Sequence, residues 1–314
     1  MIAFNFAKEG YSKSLVAKIL GIDRSIFYYR PKQGDAKGKA KSRYTITLDG
    51  ELVKNNKVVE QIKELLSREF VDYGYLKVTH WLRQTYFYKI NPKKVYRLMR
   101  ENGLLNKYTT KKKRPRNWVK ELVPPTKQVF DFLEFDIKYM YVAGLNRNAH
   151  LITVIDVRSR WVLAQYVAWS VRKGDVIKLF DQIFDHYPLP INFYVRCDNG
   201  SQFIANEVQA YFEMKENVTQ EFCKPATPEQ NAHIESYHSI LEKVICQQYE
   251  FESLEELQET MNRFVSFYNY ERIHSGVGYI APVKYLENND IFFINENTVN
   301  SALDCSSLQT HYLV

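Results

Sequence analysis

Four cysteines in 314 residues, none in a Cys-x-x-Cys pair, are too few and too scattered for a disulfide framework or a zinc ribbon. That usage fits a reducing compartment. No apolar run approaches the ~18 residues that a membrane span requires. The opening residues, MIAFNFAKEGYSK, lack the basic-then-apolar layout of a signal peptide. A soluble cytoplasmic protein is therefore expected. The front of the chain is also short of acid: residues 1–120 hold 28 Lys+Arg against 10 Asp+Glu, whereas residues 121–314 hold 15 against 26. A basic front half points to a polyanion, because Lys and Arg that displace phosphate counterions gain affinity without reading sequence. What is plentiful is hydrophobic and aromatic residues, 45% and 15%, which exclude a mainly disordered chain.

The pattern along the chain divides it. Residues 12–29, SKSLVAKILGIDRSIFYY, predict two short helices, with Leu15, Ile19 and Leu20 on one apolar face, Gly21 as a break and Asp23 as a cap. Helix, glycine turn, helix is the layout of a helix-turn-helix, with Arg24 on the second helix as a DNA contact and the first of the usual three helices short or missing. A structural helix pair fits this stretch equally well. Domain 1–30 is followed by a Lys- and Gly-rich linker, 31–53. A helical DNA-binding domain is expected over 54–107. In it, VVEQIKELLSREF has helical apolar spacing, and INPKKVYRLMRENGL opens on an Asn91 cap with Pro92 at the first turn and Gly103 at its end. Lys93, Lys94, Arg97 and Arg100 give that helix a basic side. A basic linker, 108–126, carries Lys111, Lys112, Lys113, Arg114 and Arg116.

The character then changes. Three β-rich runs at 129–142, 149–157 and 160–169, separated by short turns, predict an antiparallel meander. A helix (173–186), a strand (191–197), a helix (202–216), a strand (218–223) and two helices (228–248, 253–270) complete an α/β domain over 127–286, a mixed five-stranded sheet with flanking helices.

Three carboxylates stand out in it. Asp136 lies inside an alternating strand, where a charge is costly unless solvated or liganded. Asp198 closes a later strand in VRCDNGSQF, although Asp-Asn-Gly also suits a plain turn. Glu235 lies on the long helix beside the apolar face of Ile234, Leu241 and Ile245. A strand interior, an adjacent strand end and a facing helix can bring three carboxylates together. Crowded anions repel and call for a hard divalent cation such as Mg²⁺ or Mn²⁺. Two such ions about 3.5–4 Å apart can activate a hydroxyl and stabilise a leaving oxygen in phosphodiester attack.

FLEFDIKY (132–139), VRCDNGSQF (195–203) and TPEQNAHIESYHSIL (227–241) resemble the D, D and E motifs of retroviral-integrase-like transposases. The two last acids are separated by 36 residues, where the family usually has 35. FYNYERIHSGVGYIAPVKY (267–285) is similar to the family's C-terminal motif, with Val277 in place of the usual leucine. YGYLK and NPKKVYRLMRENGL resemble the helical domain of bacterial transposases of the insertion-sequence-three family, so that the resemblance spans roughly residues 10–286.

The resemblance implies an RNase H-like catalytic domain behind helix-turn-helix-type DNA-binding domains. It implies an enzyme that hydrolyses one strand at each element end and joins the freed 3′-hydroxyl to target DNA. Asp136, Asp198 and Glu235 would hold two Mg²⁺ ions, with Mn²⁺ able to substitute. Asn199, Gly200 and Gln202 would shape the adjoining loop, with Ser201 capping the next helix. Asn231, Arg272 and His274 would lie near DNA. The family's lysine seven residues after the glutamate is here Glu242, so Lys243, one later, takes its place as a phosphate contact. Double-stranded DNA, as terminal inverted repeats and target, is the implied partner, together with a homodimer or higher oligomer and an upstream-frame protein if the chain is one half of a frameshifted pair. The location would be the cytoplasm, on the nucleoid when DNA-bound.

Rival readings are an RNase H-like nuclease without strand transfer and a non-catalytic regulator from a decayed element. Asp156, a competing acid, reads as a hairpin cap. His233 and His238, five apart, diverge by about 140° on a helix and make a poor zinc pair. The tail, 287–314, has no assigned role.

Overall fold

The computed structural model describes residues 2–28, 41–106, 126–224 and 228–291. The chain forms two compact units, Met1–Arg43 and Tyr44–Val314.

In the first unit, α1 (Ile2–Lys8) precedes α2 (Lys13–Leu20). Gly21 ends α2 at φ 62°, the left-handed geometry that glycine adopts without a Cβ clash. Asp23 caps the next element by accepting from the Ser25 N–H, but that second helix is only a 3₁₀ turn, Arg24–Phe27. The predicted apolar face is also not buried: Leu15 and Ile19 are 49% and 72% exposed, and Val16 and Ala17 are the buried residues of α2.

The second unit starts inside the expected linker. Tyr44–Ile46 (β1) and Leu52–Lys54 (β2) pair as an antiparallel hairpin, because Thr45 and Val53 are buried and anchor it. Three helices come next: α3 (Asn55–Leu66), α4 (Tyr75–Tyr86) and α5 (Pro92–Glu101). Val58, Ile62 and Leu65 recur at helical spacing and pack with Val78, Leu82, Val95 and Met99 in one core. Asn91 caps α5 by accepting from the Lys93 N–H, and Gly103 closes it at φ 68°.

The catalytic-type domain is a five-stranded sheet. Its strands are β3 (Phe132–Val142), β4 (Arg147–Asp156), β5 (Val162–Ala168), β6 (Phe193–Cys197) and β7 (Val218–Phe222), in the order β5-β4-β3-β6-β7. The first three form the antiparallel meander; β6 and β7 run parallel to β3. Parallel neighbours need crossovers, and these are α6 (Lys173–His186) and α7 (Asn206–Glu213). Side chains of β3 alternate between two cores. Leu133 and Phe135 pack with α6 and α7, while Met140 and Val142 pack under α8 (Ala232–Leu241) and α9 (Leu254–Tyr270). A short α10 (Pro282–Glu287) ends the domain. The long helix expected over 228–248 is segmented: a 3₁₀ turn (Pro228–Asn231), α8, then a π turn (Glu242–Cys246).

The helical and catalytic-type domains interlock. Phe70, between α3 and α4, sits in the core under α9 with its ring edge-on to Phe264 at 5.4 Å. In return Ile273 joins the α3–α5 core, and its N–H donates to the Tyr73 hydroxyl at 3.0 Å.

Candidate active site

The alternation of β3 puts Glu134, Asp136 and Lys138 on the face that α8 covers. In the parallel pairing of β3 with β6, Glu134 stands opposite Arg196. Two residues further on come Asp136, on β3, and Asp198, just past the end of β6, whose charge reaches Asp136. The turn after β6 is tied down locally: the Gly200 N–H donates to Asp198 Oδ1 at 2.9 Å, and Asn199 Nδ2 donates to the Cys223 carbonyl at 2.9 Å. A Cβ on Gly200 would fall 2.5 Å from Gln202 Nε2 and 3.0 Å from Asp198 Oδ1, so no larger residue fits as the loop stands. Ser201 does not cap the next helix; α7 begins at Asn206 after Ala205.

Glu235 lies in the first turn of α8, whose Ile234, Tyr237 and Leu241 are buried against the sheet. Asp136 senses the charges of the other two. Burial raises the Asp136 carboxyl to about 7, the charge of Asp198 adds to the rise, and Glu235 and Glu134 push it the same way. Only the Ile137 N–H, donating to Asp136 Oδ1 at 2.8 Å, pulls against them. His238 Nδ1 is 3.6 Å from Asp136 Oδ2, but burial and then Lys138 lower this histidine to about 4, so at neutral pH it brings no cation. The donors are hard oxygens with excess negative charge, the chemistry that fits a divalent magnesium-type ion. Among the described residues, no three His, Cys, Asp or Glu side chains are gathered closely enough to grip an ion as they stand.

The other acids and histidines have structural partners. Asp156 is buried at the β4–β5 turn, where it accepts from the Ser159 N–H, the Ser159 hydroxyl and the Phe130 N–H. His233 Nδ1 lies 2.9 Å from Glu134 Oε1.

The expected DNA contacts scatter. Arg24 is exposed in the N-terminal unit, its guanidinium 5.7 Å from the Tyr28 ring. Lys93 is exposed on α5, whereas Lys94 is half-buried and donates to the Tyr44 carbonyl, and Arg97 faces Glu101 at 4.0 Å. Lys111, Lys112, Lys113, Arg114 and Arg116 lie outside the described residues. Lys243 is exposed on the π turn, beside Glu242, which pairs with Lys138 at 2.9 Å. Three of these positions are buried. Asn231 is 5% exposed at the start of α8. Arg272 is 2% exposed, with Nη2 2.7 Å from Asp72 Oδ1. His274 packs edge-on to Tyr268, and burial, with Arg272 beside it, holds its ring well below the usual histidine range. The domain junction captures Arg272, whose partner Asp72 lies 200 positions earlier in the chain.

Sequence reading passed over Glu134 and Arg196. The available signal was a second acid two positions before Asp136 on the same strand face, mirrored by a base two positions before Asp198.

Comparison with known proteins accords with this geometry. Residues 127–228 and 216–282 each match the integrase core domain family, and residues 54–113 match an HTH-like domain. The chain carries an integrase core domain and an HTH-like domain, and resembles proteins of insertion elements. Three relatives illustrate the kinship. A 39.2 kDa protein of insertion element IS476 from Xanthomonas euvesicatoria is 28% identical over 218 residues, 69% of this chain and 61% of that protein. The match thus spans less than two thirds of that relative. The transposase of insertion sequence element IS904 from Lactococcus lactis is 25% identical over 236 residues, 71% of this chain and 90% of that one. A 31.7 kDa protein of insertion element IS407 from Burkholderia multivorans is 24% identical over 288 residues, 88% and 91% of the two chains. The HTH-like match covers α3–α5.

Proposed function

We propose that this chain cleaves DNA at the ends of its own insertion element and joins the freed 3′-hydroxyls to a target. The observation that carries this reading is the buried strand carboxyl of Asp136, raised to about 7 by burial and further by the charges of Asp198 and Glu235. The three carboxylates would hold Mg²⁺, as two ions, or Mn²⁺ in its place. When bound, the metal lowers the pKa of an attacking water or hydroxyl and neutralises charge on the leaving oxygen. The protein's part would be to hold the ligands: Asp136 on β3, Asp198 just past the end of the paired strand β6, and Glu235 in the first turn of α8.

The exposed cations Lys93 and Lys243, with the basic residues of 108–126, would contact DNA phosphates. Neutralising any one of these cations should reduce the slope of log K against log salt by about 1. Pairing two element ends calls for at least a dimer, and the upstream reading frame is a candidate partner. Among the described residues no helix is long and apolar enough to cross a membrane, in keeping with action on cellular DNA in the cytoplasm.

A labelled element-end oligonucleotide, incubated with Mg²⁺ and either the parent or Asp198→Asn, tests the reading. The parent should nick the end and transfer it to a second DNA. The variant should lose both activities, by on the order of 10³-fold, while binding DNA normally. A parent that nicks without ever joining is a nuclease, and the strand-transfer reading fails. Equal behaviour of parent and variant removes the metal site itself.

A further inference from the structure

The start of α8 is held in an unusual way. The first N–H groups of a helix have no intrahelical acceptors and are ordinarily satisfied by the side chain at the N-cap. That residue is Asn231, and it makes no capping bond although it is buried there. The acceptor is Glu134, about a hundred residues earlier in the chain and fully buried on β3. Its Oε2 accepts from the His233 and Ile234 N–H groups, both at 2.8 Å, and its Oε1 lies 2.9 Å from His233 Nδ1.

Arg196, opposite Glu134 in the β3–β6 register, grips the same segment from the other strand. Its Nη1 donates to the Gln230 carbonyl at 2.9 Å, Nη2 donates to Glu221 Oε2 at 2.6 Å, and its guanidinium lies 4.5 Å from the centre of the Phe132 ring. Glu134 is two residues before Asp136, Arg196 is two residues before Asp198, and the segment they hold, 230–234, ends one residue before Glu235. β3, which carries Asp136, and β6, which leads into Asp198, therefore each carry a grip on the helix that carries Glu235.

Stability alone is a poor reason for this arrangement. A buried charge pair is often no more stabilising than apolar residues of the same shape, whereas an exposed Ser or Asn caps a helix without desolvating a carboxylate. What the pair uniquely supplies is a fixed distance between the third ligand and the first two.

We propose that Glu134 and Arg196 are positioning residues, a buried latch that sets Glu235 against Asp136 and Asp198 and so decides how tightly the site holds a divalent ion. The proposal rests on the metal-site reading above. Groups behind metal ligands commonly change affinity by 10- to 100-fold when removed.

The test is Mn²⁺ binding to the full chain by electron paramagnetic resonance, with thermal unfolding as the check that each variant is folded. Glu134→Ala should weaken Mn²⁺ binding by about tenfold or more. Glu134→Gln should recover most of it, because its carbonyl can accept both backbone N–H bonds while its amide donates to His233 Nδ1. Arg196→Lys keeps the charge but loses the forked contact with Gln230 and Glu221. It should weaken binding several-fold, and it takes over as the decisive variant if Glu134→Ala does not fold. Folded Glu134→Ala or Arg196→Lys protein that binds Mn²⁺ within about twofold of the parent overturns the latch. If the parent binds Mn²⁺ no better than Asp136→Asn, the metal reading is what fails. The latch is then read from amide exchange at His233 and Ile234, which Glu134→Ala or, in its place, Arg196→Lys should speed by at least about tenfold; unchanged exchange overturns it.

Discussion

Replacing Asp136 with asparagine should make the metal-free protein more stable, although it destroys a proposed ligand. The carboxyl is raised from 3.8 to about 7, chiefly by burial and then by Asp198. A raised acid binds a proton more tightly in the folded state than in the unfolded chain. Its contribution to stability is therefore fully present below about 4, declines as pH rises towards 7 and stays lost above that. At ~1.4 kcal/mol per unit, a rise of about 3 units corresponds to an upper figure of about 4 kcal/mol. Asp136 is 23% exposed, and water reaching it lowers the expected gain to about 2–4 kcal/mol at pH 8. The asparagine carries no charge and escapes the penalty. Urea unfolding of parent and Asp136→Asn in chelator at pH 8 and pH 5 measures this. The variant should lead at pH 8, the gap should shrink to less than half at pH 5, and millimolar Mg²⁺ should narrow it at pH 8 by stabilising only the parent. A variant no more stable than the parent at pH 8, or a gap that widens on acidification, would show that Asp136 does not face a crowded anionic site.

Two further predictions concern the junction between the helical and catalytic-type domains. Phe70→Ala removes a buried ring packed against Phe264, Phe267 and Tyr249, and should cost about 3–5 kcal/mol in denaturant unfolding. A loss below about 1 kcal/mol would mean that the ring is not seated there. Asp72→Asn strands the buried Arg272 cation and should cost about 2–4 kcal/mol, most of it recovered when Arg272→Met is added. A double variant as unstable as the single one would refute the ion-pair account.

Local pattern made much of the chain legible. The β3–β5 meander and α6 are periodic enough to be read directly, and Asn91 and Gly103 bracket α5 because capping chemistry depends on one or two residues. Where reading failed, a distant partner was responsible. Residues 44–54 look like linker because their hairpin is anchored by Thr45 and Val53 against residues outside the segment. The burial of Arg272 is not legible because nothing nearby in sequence announces Asp72, the partner that pairs with it. Leu15 and Ile19 look like core because their spacing is helical, but a short unit has too little chain to cover them.

The sequence by itself singled out three carboxylates as candidates for chemistry, on a strand, at a strand end and on a helix, with Asp136 alone in a context that makes its charge costly. Tertiary structure alone decided how those carboxylates are held. Glu134 reaches the start of α8 from β3, Arg196 closes the same segment from β6, and both act across gaps of 34 to 100 residues. Such bonds leave no periodic trace, because a buried hydrogen bond specifies a partner in space and places no constraint on the residues between.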